Sequence, residues 1–338
     1  MKAALLKQTG SIDELEKNLV VEEISLPEIS NDEVLIKLKN SSLNHRDLYI
    51  TNGLYSKIKL PVVLGSDGAG IVHSKGKNVS SFEIGEEVII NPGMNWGNNE
   101  NYQSANFKIL GMPDNGTLAE FISVNKSYVY KKPEHLSFAE ASVFPLAGVT
   151  AYCALFKKAN LNKNDNLLIT GIGGGVSGHA LVFALKIEAN VFVTSGSDDK
   201  IKKAISLGAR AGVNYKNENW KQEIIELSDN KINVVIDGTG GDSFSKILEL
   251  CNYGSRIISY GATLGNVKDF PLARLFWKQL KIFGSTMGSP KDFADMLKFI
   301  NENKITPVID KIFSLNNICD AFKRMNDSEQ FGKIVIEI

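Results

Sequence analysis

A short apolar run leads into a glycine cluster at Leu167-Leu168-Ile169-Thr170-Gly171-Ile172-Gly173-Gly174-Gly175-Val176-Ser177-Gly178. A run of aliphatic residues bounded in this way is typical of a buried strand. After the cluster, apolar residues recur at the spacing of one helical face, namely Val176, Ala180, Phe183, Ala184 and Ile187. The pattern therefore predicts a strand, a tight turn and a helix in direct succession.

This turn has the composition of a dinucleotide site. Glycines let the backbone turn sharply and approach a pyrophosphate, and the N-terminus of the following helix offers unpaired N–H groups to the phosphates. Two registers of the glycine pattern are open. One is Gly173, Gly175 and Gly178, which match it literally; the other is Gly171, Gly174 and Ser177, with a serine in third place. We expect the cofactor to be bound by Gly173, Gly174, Gly175 and Val176.

The remainder of the chain falls into two kinds of sequence. Short β-branched runs at residues 34–38, 70–73 and 87–90 indicate a β-rich first part, and short strands return around a helix in the tail. Residues 139–154 read as one long helix, and beyond it strands alternate with helices, which implies a doubly wound parallel sheet. The Asn-rich stretch at residues 91–115 is open as a lid, a subunit contact or a surface lobe.

The end of the second strand of this series indicates which cofactor is preferred. A site for NAD normally has an acidic side chain there, which binds the ribose 2′-hydroxyl. Here the strand runs into Ser195, Gly196 and Ser197, with Lys200 shortly after, and small hydroxyls beside a lysine suit a 2′-phosphate. The sequence therefore favours NADPH. NADH stays possible because of Asp198 and Asp199. If the strand ended three residues later, an acidic side chain would stand at its tip.

The composition excludes several classes of protein. The 338 residues contain 38 Lys and Arg and 38 Asp and Glu, so no basic surplus is available to neutralise a nucleic acid. No apolar run reaches the ~20 residues needed to span a bilayer. The Cys residues at 153, 251 and 319 are far apart, which excludes a disulfide framework and a Cys-rich zinc site. We expect a cytoplasmic protein that binds neither nucleic acid nor membrane.

Four segments together resemble the medium-chain dehydrogenase/reductase superfamily, in particular its zinc-free quinone oxidoreductase branch. They are residues 43–49 (LNHRDLY), 64–70 (LGSDGAG), 146–152 (LAGVTAY) and the glycine cluster. The resemblance covers the whole chain. It implies a GroES-like β-rich catalytic domain at residues 1–147 with 287–338, a Rossmann domain with a doubly wound parallel sheet at residues 148–286, and a homodimer formed through the sheet edge of the Rossmann domain.

The chain differs from the zinc alcohol dehydrogenases of this superfamily at the residues that bind the metal. Those enzymes hold a catalytic zinc with a Cys, a His-Glu pair and a further Cys, and the matching places here are Asn44, Ser66-Asp67 and Leu146. An amide, a hydroxyl and a leucine cannot replace thiolate and imidazole ligands. We therefore expect no zinc.

The resemblance also implies residue roles. Further cofactor contacts fall on Asn44, Thr150, Val176, Tyr215, Thr239, Tyr260, Gly261 and Lys333. The segment of the family's active-site wall contains Tyr49 and Asn44. We hypothesise that Tyr49 donates a hydrogen bond to the oxyanion that forms on the substrate, and that Asn44 orients the substrate or the nicotinamide.

Without zinc, the chemistry that remains is hydride transfer to a substrate that needs little Lewis-acid help. Quinones and α,β-unsaturated carbonyls fit that requirement, so we expect an NADPH-dependent oxidoreductase acting on such a small molecule. Two alternatives stay open: an enoyl-thioester reductase, and a non-enzymatic NADPH-binding sensor or scaffold.

Overall fold

The computed structural model describes residues 1–338 and divides the chain into two compact units. One unit contains residues 1–149 and 288–338, and the other contains residues 150–287. The strands are β1 (Lys2–Leu6), β2 (Leu19–Glu23), β3 (Glu33–Ser42), β4 (Val62–Val63), β5 (Asp67–Lys75), β6 (Glu87–Ile90), β7 (Gly93–Met94), β8 (Lys108–Ile109), β9 (Phe121–Asn125), β10 (Val129–Lys131), β11 (Asn166–Ile169), β12 (Asn190–Ser195), β13 (Ala211–Asn214), β14 (Ile232–Asp237), β15 (Cys251–Ser259), β16 (Lys281–Gly284), β17 (Ile309–Ser314) and β18 (Lys333–Glu337).

The helices are spread over both units. They are α1 (Leu15–Asn18), α2 (His45–Thr51), α3 (Phe138–Ser142), α4 (Pro145–Tyr152), α5 (Gly175–Lys186), α6 (Asp198–Ser206), α7 (Trp220–Leu227), α8 (Gly241–Leu250), α9 (Leu272–Trp277), α10 (Pro290–Glu302) and α11 (Ile318–Asn326). None of them is long and apolar enough to cross a membrane.

The unit of residues 150–287 is built on a six-stranded sheet. Its strand order is β13-β12-β11-β14-β15-β16, and every neighbouring pair is parallel. Numbered within this unit, that is the order 3-2-1-4-5-6 of a dinucleotide-binding sheet. The predicted doubly wound Rossmann sheet is confirmed. Its inner strands β11, β12 and β14 are largely buried, because a helix connects each pair of consecutive strands and covers the sheet, whereas the edge strand β16 is mostly exposed.

The other unit is β-rich, as predicted. A seven-stranded sheet runs β10-β6-β5-β3-β18-β17, with β9 also paired to β3, and a three-stranded sheet joins β2, β1 and β4. The tail rejoins this unit, because β18 pairs antiparallel with the end of β3. Residues 91–115 contain the small β7–β8 pair rather than an unstructured connection.

The single long helix expected at residues 139–154 is wrong. α3 ends at Ser142, α4 begins at Pro145, and a π-helical segment follows at Cys153–Lys158. Proline has no N–H to continue the ladder and disfavours helical geometry in the residue before it, so the chain stops and restarts there.

Candidate functional site

A buried polar cluster in the β-rich unit contains Asn44, one of the two residues that the resemblance assigns to the active-site wall. The register of the large sheet creates it. Ser42, at the end of β3, lies opposite Asp67 of β5 on one side and Val335 of β18 on the other. Asn44 follows two residues after Ser42, and Lys333 begins β18, so side chains distant in sequence meet at one place.

Asp67 is the centre of this cluster and is fully buried. Its Oδ2 accepts hydrogen bonds from Ser42 Oγ at 2.8 Å, Asn44 Nδ2 at 2.9 Å and Lys333 Nζ at 2.9 Å. Its Oδ1 accepts from the backbone N–H of Leu146 at 2.8 Å, in the first turn of α4. A buried carboxylate is tolerated when it is paired and hydrogen-bonded in this way.

The ammonium of Lys333 is also fully hydrogen-bonded. Its buried ammonium donates to the carbonyl of Leu43 at 2.6 Å and to Asn44 Oδ1 at 2.7 Å, besides its bond to Asp67. An ammonium has three N–H groups, and these three acceptors use all of them. The structure places the ammonium of Lys333 inside the cluster. Its contact with the cofactor, which the resemblance implies, stays a prediction.

The two residues proposed for chemistry stand in different surroundings. Asn44 is 7% exposed, and its side chain is tied to Lys333 and Asp67. Tyr49, on α2, is half-buried, and this burial raises the pKa of its phenol. A phenol with a raised pKa stays protonated and can donate a hydrogen bond over a wider range of pH.

Next to the cluster, Asp47 closes the start of α2. Its Oδ2 accepts from the backbone N–H of Asn44 at 2.9 Å, which caps the helix. Oδ1 has no hydrogen-bond partner, and the nearest cation is Arg46, 3.8 Å away. Complete burial raises the pKa of the Asp47 carboxyl, although the charge of Arg46 opposes the shift.

The places matched to zinc ligands do not fit a zinc ion. Asn44 is engaged by Lys333 and Asp67, and Ser66 donates to the carbonyl of Leu110 at 2.9 Å while accepting from Arg46 at 2.6 Å. Leu146 offers no ligand atom. The ammonium of Lys333 already stands among these side chains, and a second cation would be repelled by it. No group of three or more His, Cys, Asp or Glu side chains is arranged to hold a metal.

In the other unit, the glycine turn follows β11 directly. Gly171 has φ +61° and Gly173 has φ +123°, a region that favours glycine, and Gly174 is the N-cap of α5. Ser177 Oγ donates to the carbonyls of Gly171 at 3.2 Å and Gly174 at 3.1 Å. These contacts connect Gly171, Gly174 and Ser177, the members of the second register, to one another. The choice between the two registers stays a prediction.

This turn leaves room for a ligand. A β-carbon on Gly174 would meet nothing in the protein closer than Ser177 Oγ at 3.5 Å. The N-terminus of α5, which includes Val176, offers unpaired N–H groups beside that space. The geometry fits a pyrophosphate.

The tip of β12 carries the predicted Ser195, Gly196 and Ser197. Tyr215 packs here, since a β-carbon on Gly196 would lie 2.7 Å from Tyr215 Oη and 3.0 Å from Cε of Lys216. The two acids that kept NADH open each lie near a polar partner, and the choice between NADH and NADPH stays a prediction. Asp198 accepts from Asn214 Nδ2 at 2.8 Å, and the strongly exposed Asp199 lies 3.6 Å from Lys202. Lys200, on α6, has polar partners of its own.

At the end of β14, a buried carboxylate organises the neighbouring predicted residues. Asp237 Oδ1 accepts from Thr170 Oγ1 at 2.5 Å and from Thr239 Oγ1 at 2.6 Å, and Oδ2 accepts from Gly240 N at 3.0 Å. The Thr239 hydroxyl therefore points into the protein. Burial and the charge of Asp237 raise the pKa of Tyr260.

The last of the predicted cofactor contacts lie around this edge of the sheet. The ring of Tyr260 lies 2.5 Å from where a β-carbon of Gly238 would stand, and Gly261 packs on the carbonyl of Gly238. Thr150, on α4, is buried.

The sequence did not identify four residues as members of the site: Asp67, which is the centre of the polar cluster, Arg46, Lys216 and Asp237. Asp237 carried a signal, because an acid at the end of an apolar strand is buried at the carboxyl edge of a parallel sheet. Lys216 carried none, since its proximity to Gly196 depends on the β12–β13 register.

Two family models match the chain. One, described as an alcohol dehydrogenase GroES-like domain, covers residues 30–134, and the other, described as a zinc-binding dehydrogenase, covers residues 175–302. Together they account for more than half of the sequence.

Individual proteins match over nearly the full length. A zinc-type alcohol dehydrogenase-like protein YogA from Leptosphaeria maculans is 35% identical, with 93% of each chain covered. An acryloyl-coenzyme A reductase from Sulfurisphaera tokodaii is 29% identical over 94% of this chain and 96% of its own, and the quinone oxidoreductase-like protein 2 of Bos taurus is 26% identical over 96% and 90%. A solved structure titled NAD-dependent alcohol dehydrogenase superimposes with a TM-score of 0.93 at 33% identity, covering all of both chains.

Proposed function

This chain belongs to the medium-chain dehydrogenase/reductase superfamily of oxidoreductases, and we propose that within it the protein is an NADPH-dependent, zinc-independent reductase of quinones or α,β-unsaturated carbonyls. The observation that carries the proposal is the position of the Lys333 ammonium, 2.7 Å from Asn44 and 2.9 Å from Asp67, among the places matched to zinc ligands. With a fixed cation and no suitable ligands there, the substrate has to be one that accepts hydride without metal activation.

The unit of residues 150–287 is the proposed cofactor domain. Gly173, Gly174, Gly175 and Val176 receive the pyrophosphate at the start of α5. Ser195, Gly196, Ser197 and Lys200 receive the adenosine ribose and its 2′-phosphate, and the proximity of Lys216 to Gly196 adds a second cation. The other cofactor contacts that the resemblance implies stay predictions: Thr150, Tyr215, Thr239, Tyr260 and Gly261 in this unit, and Asn44 and Lys333 in the β-rich unit.

In the proposed reaction, NADPH held at the glycine turn would supply the hydride that reduces the β-carbon of the alkene or the quinone ring. The charge that arrives on the carbonyl oxygen is stabilised by the Tyr49 phenol, which then passes its proton to that oxygen and recovers one from solvent. Asn44 acts as a positioning residue, because its amide holds Lys333 and Asp67 in one arrangement.

The role of Tyr49 is tested by Tyr49→Phe, which removes the hydroxyl alone. We expect kcat on enones to fall by roughly 10²-fold, as for loss of a positioned proton donor, while the dissociation constant of NADPH is unchanged. Tyr102→Phe, at a tyrosine that is 64% exposed, is the matched control. An unchanged kcat in Tyr49→Phe would remove Tyr49 from the mechanism.

An enoyl-thioester reductase is the second candidate, and one observation favours it. The relative from Sulfurisphaera tokodaii is named an acryloyl-coenzyme A reductase and matches along nearly the whole chain. The hydride chemistry is the same, so the two candidates are separated by measuring kcat/KM for crotonyl thioesters of coenzyme A against free enones and quinones. NADPH binding without turnover of any of these would instead support a sensor or scaffold.

We also propose that the protein is a homodimer that works in the cytoplasm. β16 is the edge strand of the six-stranded sheet, and α9 before it exposes Leu272, Phe276 and Trp277 by 64%, 67% and 73%. An unpaired edge beside exposed apolar side chains suits pairing with a second copy. Light scattering tests this: the mass should be that of two chains, and Trp277→Lys should halve it. All three cysteines are free, in keeping with a reducing compartment.

A further inference from the structure

The guanidinium of Arg46, on α2, is anchored through only one of its nitrogens. Arg46 is 8% exposed, and Nη1 donates to Ser66 Oγ at 2.6 Å and to the carbonyl of Leu110 at 2.9 Å. The ring of Tyr55 lies against the guanidinium, with its centroid 5.1 Å from Cζ. Two hydrogen bonds and one stacked ring therefore fix the plane of the group.

The remaining two nitrogens of Arg46 are buried without a hydrogen-bond partner. They are Nε and Nη2. Their N–H groups point along the same edge of the guanidinium and form the fork that matches the two oxygens of a carboxylate. A buried charged group with unsatisfied donors is costly, and native structures keep few of them. Such a fork is an incomplete binding site.

The nearest carboxylate of the protein does not complete it. The ion pair with Asp47 joins Oδ1 to Nη1 at 3.8 Å, which is the nitrogen already engaged, and Oδ1 itself stays without a hydrogen bond. Asp67, the other buried acid nearby, is saturated by Ser42, Asn44, Lys333 and Leu146.

The fork also lies beside the proposed reaction site. Arg46 bonds to Ser66, the residue before Asp67, and follows Asn44 by two positions. Tyr49 is three residues further along α2, so Arg46 and Tyr49 are neighbours on one helical face.

We propose that Arg46 binds a carboxylate of the substrate through Nε and Nη2, and that the preferred substrates are enones or quinones that carry a carboxylate. This inference rests on the proposed function, since it names the substrate class of the same site. Both nitrogens are buried, so the proposal requires that the side chains covering them move when the carboxylate binds.

The test compares 4-oxopent-2-enoate with its methyl ester, which differ mainly in the negative charge. With NADPH and the wild-type protein we expect kcat/KM to be about 10- to 100-fold higher for the acid, through a lower KM, as charge-assisted hydrogen bonds of this strength imply. Arg46→Lys keeps the charge but loses the fork, and Arg46→Gln loses both. Each variant should abolish most of the preference, because kcat/KM for the acid falls more than kcat/KM for the ester. Arg210→Gln, at an exposed arginine, is the control.

Equal kcat/KM values for acid and ester in the wild type would overturn the inference, as would equal losses on both substrates in the Arg46 variants. If those variants do not fold, the wild-type protein decides through ligand stabilisation. The saturated acid 4-oxopentanoate should raise Tm, and its methyl ester should not. Protection by the acid without turnover of any substrate would refute the proposed function and keep the site. Turnover without a preference for the acid and without protection by the acid would refute the carboxylate site and leave the proposed function standing.

Discussion

The ammonium of Lys333 lies 2.9 Å from Oδ2 of Asp67, although 266 residues separate them, and both side chains are buried. The pairing of β18 with β3 and of β3 with β5 brings the two together. This ion pair links β18, in the tail of the chain, to β5 of the same sheet.

Removal of one partner should therefore be severe. Lys333→Met leaves Asp67 charged and uncompensated in the interior, and we expect the unfolding free energy of this unit to fall by about 3–5 kcal/mol. The double variant Lys333→Met with Asp67→Leu leaves no charge unpaired and should recover much of the loss. Denaturant titration measures both. Lys323→Met, at an exposed pair with Glu16, is the control and should leave stability nearly unchanged. A mild effect of Lys333→Met would mean that the pair is not buried.

The glycine turn makes a prediction that separates folding from binding. Gly174→Ala has room in the protein itself, so stability should be nearly unchanged, while the added methyl group obstructs a pyrophosphate and should weaken NADPH binding at least 10-fold. Fluorescence titration with NADPH measures this.

Gly178→Ala is the control and distinguishes the two registers. It adds a methyl group into open space inside α5, where alanine is the better helix former by ~1 kcal/mol. In the register of Gly171, Gly174 and Ser177 it should bind NADPH normally. Loss of binding in Gly178→Ala, with Gly174→Ala unaffected, would establish the other register.

Cofactor preference should depend on the lysine that the sequence did not reveal. Lys216→Met removes a cation beside Gly196, and we expect the NADPH dissociation constant to rise by about 10-fold, as for loss of a charge-assisted bond to phosphate, with NADH binding unchanged. Lys202→Met, at an exposed lysine of α6, is the control. A wild-type protein that binds NADH more tightly than NADPH would contradict the proposed preference directly.

Asp47 should make stability depend on pH. Its pKa is raised in the folded protein above the ordinary value of 3.8, so the folded state retains a proton that the unfolded state releases. This contribution is complete below pH ~3.8 and is lost as the pH rises through the folded pKa. Asp47→Asn should remove it, so the variant should lose less stability than the wild type between pH 4 and 8. Identical pH profiles of Tm would refute the raised pKa; Asp199→Asn, at a solvent-exposed acid, is the control.

The fold could be predicted from the sequence because its signals are local. Strand, glycine turn and helix follow one another at residues 166–186, and the alternation after it specifies a parallel sheet. The break between Ser142 and Pro145 was missed because the apolar composition of that stretch outweighed a single proline.

The site could be predicted only in part, because its decisive contacts are long-range. The sequence alone shows that the family's zinc ligands are replaced by other residue types. It contains no local sign that Lys333 contacts Asn44 or that Arg46 keeps two donors without a partner. Those facts depend on strand register and burial. A sequence motif predicts the roles of Tyr49 and Asn44, and the structure adds that the amide of Asn44 donates a hydrogen bond to Asp67.

The central claim, reduction with NADPH and without zinc, is tested most directly by the rate of NADPH oxidation by metal-stripped protein with quinones, enones and simple aldehydes, with NADH run in parallel. We predict turnover of quinones or enones with NADPH, at a rate that neither chelator nor added zinc changes. Activity that appears only after zinc is restored, on alcohols or simple aldehydes, would contradict the account.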